Sequence, residues 1–97
     1  MLVTIIGDSM SPTLQDGDKV YFDTKPCRQI RVNDIVLVKH PYMKQRNIVK
    51  RIKSITSDGS VFIQGDNSLC STDSKSFGVV SKNNILGILK KKSRYNE

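Results

Sequence analysis

No apolar run in this 97-residue sequence approaches the roughly 20 residues that cross a bilayer. The opening Leu2-Val3-Thr4-Ile5-Ile6 is too short for the core of an export signal and has no basic leader. The expectation is a chain that is cytoplasmic or peripheral to a membrane unless an anchor has been removed. Two cysteines, Cys27 and Cys70, are too few and too far apart for a disulfide scaffold or zinc knuckle. Free thiols are expected, with a single bridge open to an oxidising compartment. One histidine and no Cys-x-x-Cys leave no metal site to propose, and no cofactor is implied. Aromatic residues make up 6% and form no basic/aromatic face, so nucleic acid finds little stacking platform. Several turns of helical periodicity with caps at both ends occur nowhere, and repeats and low-complexity segments are missing too.

What remains suits one small folded domain, 37% hydrophobic and 26% charged. Sixteen Lys and Arg against nine Asp and Glu give a formal charge of +7, which favours anionic partners such as nucleic acid or acidic lipid surfaces. Part of that excess falls in Lys90, Lys91, Lys92 and Arg94, so the domain is read as 1–89 with a basic tail over 90–97. Short apolar runs read as strands at Leu2 to Ile6, Lys19 to Asp23, Asp34 to Lys39, Asn47 to Thr56, Ser60 to Gln64 and Ile85 to Leu89. Asp58-Gly59 is the strongest hairpin signal and predicts a type I′ turn. The fold class expected is mostly β: a coiled, largely antiparallel sheet with little helix. Two long loops, Thr24 to Asn33 and Gly65 to Asn84, are where function tends to sit on such a scaffold.

The first chemically informative segment is Gly7-Asp8-Ser9-Met10-Ser11-Pro12-Thr13-Leu14. It sets a serine straight after a hydrophobic strand, in a turn shaped by Gly7 and Pro12, where backbone N–H groups can face a developing oxyanion. A plain Gly/Ser/Pro turn has the same composition. A serine hydroxyl needs a base to take its proton. His40, in a polar loop beside Pro41, reads as a surface residue with no second motif to complete a Ser-His-Asp triad. Lysine can serve as the base if burial or nearby positive charge makes it neutral. Lys50 interrupts the apolar strand Ile48-Val49-Lys50-Arg51-Ile52, and alternation puts it on the face of Ile48 and Ile52. A lysine so placed can also carry its amine out to water.

Four segments in order resemble the motifs of the type I signal peptidase family. Gly7 to Leu14 is similar to its nucleophile motif. Val32-Asn33-Asp34-Ile35-Val36 resembles its next strand, with Asn33 where glycine is usual. Ile48 to Ile52 resembles its lysine motif. Gly65-Asp66-Asn67 through Ser71-Thr72-Asp73-Ser74-Lys75 to Gly78 resembles its Gly-Asp-Asn…Ser-x-Asp-Ser-Arg…Gly motif without a gap. The resemblance implies Ser9 as nucleophile and Lys50 as general base, with Ser71 orienting the amine and Met10 shielding it from water. It implies an ion pair of Asp73 with Lys75, where a lysine replaces the family's arginine and removes its planar fork. The Ser9 N–H would donate to the oxyanion, and Gly7 stands where some members carry a second donor hydroxyl. No activating neighbour marks Cys70 as a competing nucleophile.

The function so implied is a serine endopeptidase over residues 1–89 that removes a leader from a precursor polypeptide, cutting after small residues. Its short, anchorless form looks most like the branch that includes the maturation peptidase of nickel-type superoxide dismutase. The basic tail suits association with a membrane surface. Two other classes compete. A self-cleaving SOS-repressor domain shares the Gly-Asp-Ser-Met start, but it needs a scissile segment upstream, and eight residues precede Ser9. A non-catalytic basic β module binding nucleic acid or acidic lipid would explain the charge alone.

Overall fold

The computed structural model describes residues 1–67 and 77–92. Six strands form one sheet: β1 (Leu2–Thr4), β2 (Lys19–Asp23), β3 (Ile35–Lys39), β4 (Asn47–Ile55), β5 (Val61–Gln64) and β6 (Ile85–Lys92). Their order across the sheet is β1-β2-β6-β3-β4-β5, and every pairing is antiparallel. The mostly β, antiparallel expectation holds. One 3-10 turn, Lys82–Asn84, lies just before β6 and is capped by the Ser81 side chain accepting from the Asn83 N–H.

The pattern of β3 explains its central place. Ile35, Val36, Leu37 and Val38 are all buried, as a strand covered on both faces requires. Ile35 and Leu37 join Ile5, Met10, Leu14, Val20 and Phe22 in one core cluster. Val36 and Val38 join Ile52, Val61, Ile63, Val80 and Ile88 in a second. Register shifts in three of the pairings, between Tyr21 and Phe22, Leu37 and Val38, and Ile52 and Ser54, give the sheet its coil. At Gly87 the β6 backbone presses so closely on β2 that an added Cβ would sit 3.0 Å from the Asp23 carbonyl oxygen. Only glycine admits that crossing.

Three local expectations change. Strand β1 ends at Thr4, because the Ile5 N–H bonds the Asp18 carbonyl while its side chain enters the core and Ile6 turns out to solvent. Strand β6 runs to Lys92 rather than Leu89, since Tyr21 and Val20 of β2 supply partners for Lys91 and Lys92. The β4–β5 turn is not type I′, for Gly59 alone takes a positive φ, +88°, while Asp58 does not. The Gly59 N–H donates to the Thr56 carbonyl and Thr56 N–H to the Ser60 carbonyl, which is a type I turn closed by a left-handed glycine. Asp58 fits it by accepting from the Thr56 hydroxyl and the Ser60 N–H.

Candidate active site

The chain between β1 and β2 is a loop hung from the core at two points. Met10 and Leu14 are buried in the first cluster and are joined by a Leu14 N–H to Met10 carbonyl bond of 2.9 Å. Gly7, at φ +87°, turns the chain so that its N–H reaches the Asp16 carboxylate at 2.7 Å. The Ser11 N–H closes back on the Asp8 carbonyl, and the Gly17 N–H returns to the Ile5 carbonyl. Ser9 therefore sits half-buried between an exposed Asp8 and a buried Met10, on a backbone fixed on both sides. Its carbonyl accepts the Asn67 N–H at 2.8 Å.

Lys50 stands mid-strand in β4, opposite Val36, and is only 4% exposed. Its side chain shares a face with half-buried Ile48 and fully buried Ile52. Continuing the Arg51–Gln64 register by one residue sets Gly65 opposite Lys50, two residues before the Asn67 that holds Ser9. Ser9 and Lys50 both line one groove of about 700 Å³. Ile5, Met10, Leu37, Ile48 and Val49 give that groove an apolar lining, while His40, Met43 and Arg46 come from the β3–β4 connection.

A polar network that sequence reasoning missed locks these pieces together. The Arg51 guanidinium donates through Nε and Nη2 to the two Asp66 oxygens, each at 2.8 Å. The Thr13 hydroxyl, in the Ser9 loop, donates to the same carboxylate at 2.6 Å. Arg51 Nη1 adds a bond to the Asn33 carbonyl at 2.9 Å. One side chain beside Lys50 therefore ties the Ser9 loop, the end of β5 and the approach to β3. The Arg51 hydrogen bonds hold the Asp66 carboxyl below the usual carboxylate range against a smaller opposing effect of burial, and Thr13 adds to the lowering. Asn33 takes φ +78°, a left-handed conformation that asparagine tolerates better than other side chains and glycine best of all. That accounts for asparagine at a position where the resembling motif has glycine.

A second fork anchors the long loop before β3. Arg28 donates to both Asp34 oxygens, at 2.9 and 3.0 Å, and the Arg31 N–H reaches Asp34 Oδ2 at 2.7 Å. Arg28 hydrogen bonding is the main reason the Asp34 carboxyl is also held low. His40 is not a plain surface residue: it is half-buried and lines the groove. Cys27 is an exposed thiol away from the groove. Ser71, Asp73, Lys75 and Cys70 lie outside the described residues. Met10 is buried and lines the groove with Ser9 and Lys50. Among the described residues no helix is long and apolar enough to cross a membrane.

Comparison with known proteins converges on one family. The Peptidase S24-like family model matches residues 1–88. The chain is 30% identical to the mitochondrial inner membrane protease subunit 1 of Homo sapiens, over 89% of this chain and 64% of that protein. It is 34% identical to the mitochondrial ATP-independent inner membrane protease subunit 1a of Arabidopsis thaliana, over 84% of this chain and 62% of that protein. The chain therefore spans less than two thirds of the length of these relatives. These matches agree with the signal-peptidase resemblance carried by the four motifs. This chain belongs to the Peptidase S24-like family.

Proposed function

We propose that the chain is a serine endopeptidase in which Ser9 is the nucleophile and Lys50 the general base. The observation that carries this reading is that a half-buried serine and a lysine only 4% exposed line one groove. Burial disfavours the ammonium form, which is what a lysine acting as a base requires. In the first step the neutral Lys50 amine takes the Ser9 Oγ proton as Oγ bonds to the substrate carbonyl carbon. The Ser9 N–H donates to the resulting oxyanion. The Lys50 ammonium then returns its proton to the leaving amine as the C–N bond breaks, which leaves an acyl ester on Ser9. A water deprotonated by Lys50 attacks that ester, and the proton passes to Ser9 Oγ as the ester bond breaks.

The substrate class is a precursor polypeptide with a leader, cut after small residues. Strand β1 ends the sheet, and Val3 through Ile6 line the groove. An extended peptide can therefore pair with that strand edge and carry its scissile carbonyl to Ser9. Such pairing reads main-chain geometry, so affinity comes from the backbone and selection from the groove's side chains. A cleavage assay on a small-residue-rich leader peptide tests the reading across pH 6 to 10. Wild type is expected to gain activity through a single alkaline step, and Ser9→Ala to lose at least about 10³-fold. Undiminished cleavage by Ser9→Ala would rule the reading out.

A further inference from the structure

The β3–β4 connection forms one wall of the groove, and a single imidazole organises it. The His40 N–H bonds the Arg46 carbonyl at 2.8 Å and closes the loop over Pro41 to Gln45. Within the loop, His40 Nδ1 accepts the Tyr42 N–H at 3.1 Å and the Met43 N–H at 3.0 Å. An Nδ1 that accepts twice carries no proton, so the ring is the neutral tautomer protonated at Nε2. The ring is also held from the other side, edge-to-face against Phe77 at 5.2 Å between centroids. The Tyr42 hydroxyl reaches the Phe77 carbonyl at 3.4 Å. Met43 and Arg46, which this arrangement positions, both line the groove.

We propose that His40 is a positioning residue for substrate: by accepting both amides at Nδ1 it holds the Met43–Arg46 wall in place. The imidazole does here what an asparagine side chain does in an Asx turn, accepting from N–H groups two and three residues on. A proton on Nδ1 turns that acceptor into a donor facing two donors, so the arrangement cannot survive in the imidazolium form. The charged residues that line the same groove are Arg46, Lys50 and Asp8. His40 touches no reacting atom in this scheme. Its effect on cleavage passes through substrate affinity, so it shows in KM and leaves kcat largely alone.

The effect on cleavage rests on the peptidase reading, whereas the effect on the loop does not. Amide hydrogen exchange at Tyr42 and Met43 therefore comes first, in wild type, His40→Asn and His40→Ala. The Asn carbonyl oxygen occupies the place of Nδ1 and does not titrate near neutrality. At pH 8 wild type and His40→Asn are expected to protect both amides, with His40→Ala exchanging about tenfold faster, as the loss of a net hydrogen bond implies. In the cleavage assay KM is expected to follow the same order. Equal protection in His40→Ala and wild type would overturn the proposal, as would His40→Asn behaving like His40→Ala. Absent cleavage with the exchange pattern intact would count against the peptidase reading and leave the loop assignment standing.

Discussion

Replacing Lys50 with methionine is expected to reduce cleavage by at least about 10³-fold while changing stability by less than about 1.5 kcal/mol. The two outcomes come from the same observation. Lys50 is 4% exposed on a strand face that also carries Ile48 and the fully buried Ile52. Taking an amine into that setting costs desolvation. Methionine matches the length of the lysine stem and fills irregular space without a polar atom. A lysine kept there for packing could be exchanged with no loss of activity. A general base could not. Thermal unfolding and the cleavage assay, run on one preparation, separate the two roles. Near-native melting with full activity would remove Lys50 from the mechanism.

The second large effect is expected at Asp66, through stability and pH. Asp66→Asn should cost about 1–3 kcal/mol at neutral pH, because it takes a charge from hydrogen bonds to Arg51 and Thr13. In a domain of this size each kcal/mol lowers the melting midpoint by roughly 4–8 °C. The sign with pH follows from the lowered carboxyl. A group held below its unfolded value of about 3.9 contributes its full stability above that pH and loses it as pH falls through the folded value. Wild type should therefore lead Asp66→Asn clearly at pH 7, and the two should converge at about pH 3 or below. Cleavage should fall in the variant as well, since Thr13 and Asn67 hold the Ser9 loop from either side of that carboxylate. A constant gap between the two proteins from pH 7 to 3 would contradict the ionic account of the network.

The parts of the fold that were legible in the sequence are those governed by local pattern. The run Ile35–Val38 announces a strand buried on both faces, and the alternation around Lys50 names its face. Interruptions by Gly, Asn and Asp mark most strand ends to within a residue or two. The β4–β5 turn was misread because Asp-Gly suits two turn types, and only the Asp58 side-chain bonds decide between them. The Arg51–Asp66–Thr13 network was invisible for a different reason. Its partners are 15 and 53 residues apart, and a charge on a strand carries no sign of which loop it will meet. The one available hint was Asp66 inside the Gly-Asp-Asn segment, beside the residue that bonds Ser9. His40 was dismissed for want of a triad, although a histidine followed by Pro-Tyr-Met is spaced to accept from the amides of its own turn.

The peptidase account stands most directly on a covalent bond to Ser9, and acid-quenched intact-mass analysis with a slowly hydrolysed peptide ester measures it. The account predicts a single acyl adduct on wild type, mapped by digestion to the peptide containing Ser9. The same treatment should give no adduct on Ser9→Ala and only a trace on Lys50→Met. An adduct mapped instead to Cys27 or His40, or ester turnover undiminished in Ser9→Ala, would contradict it.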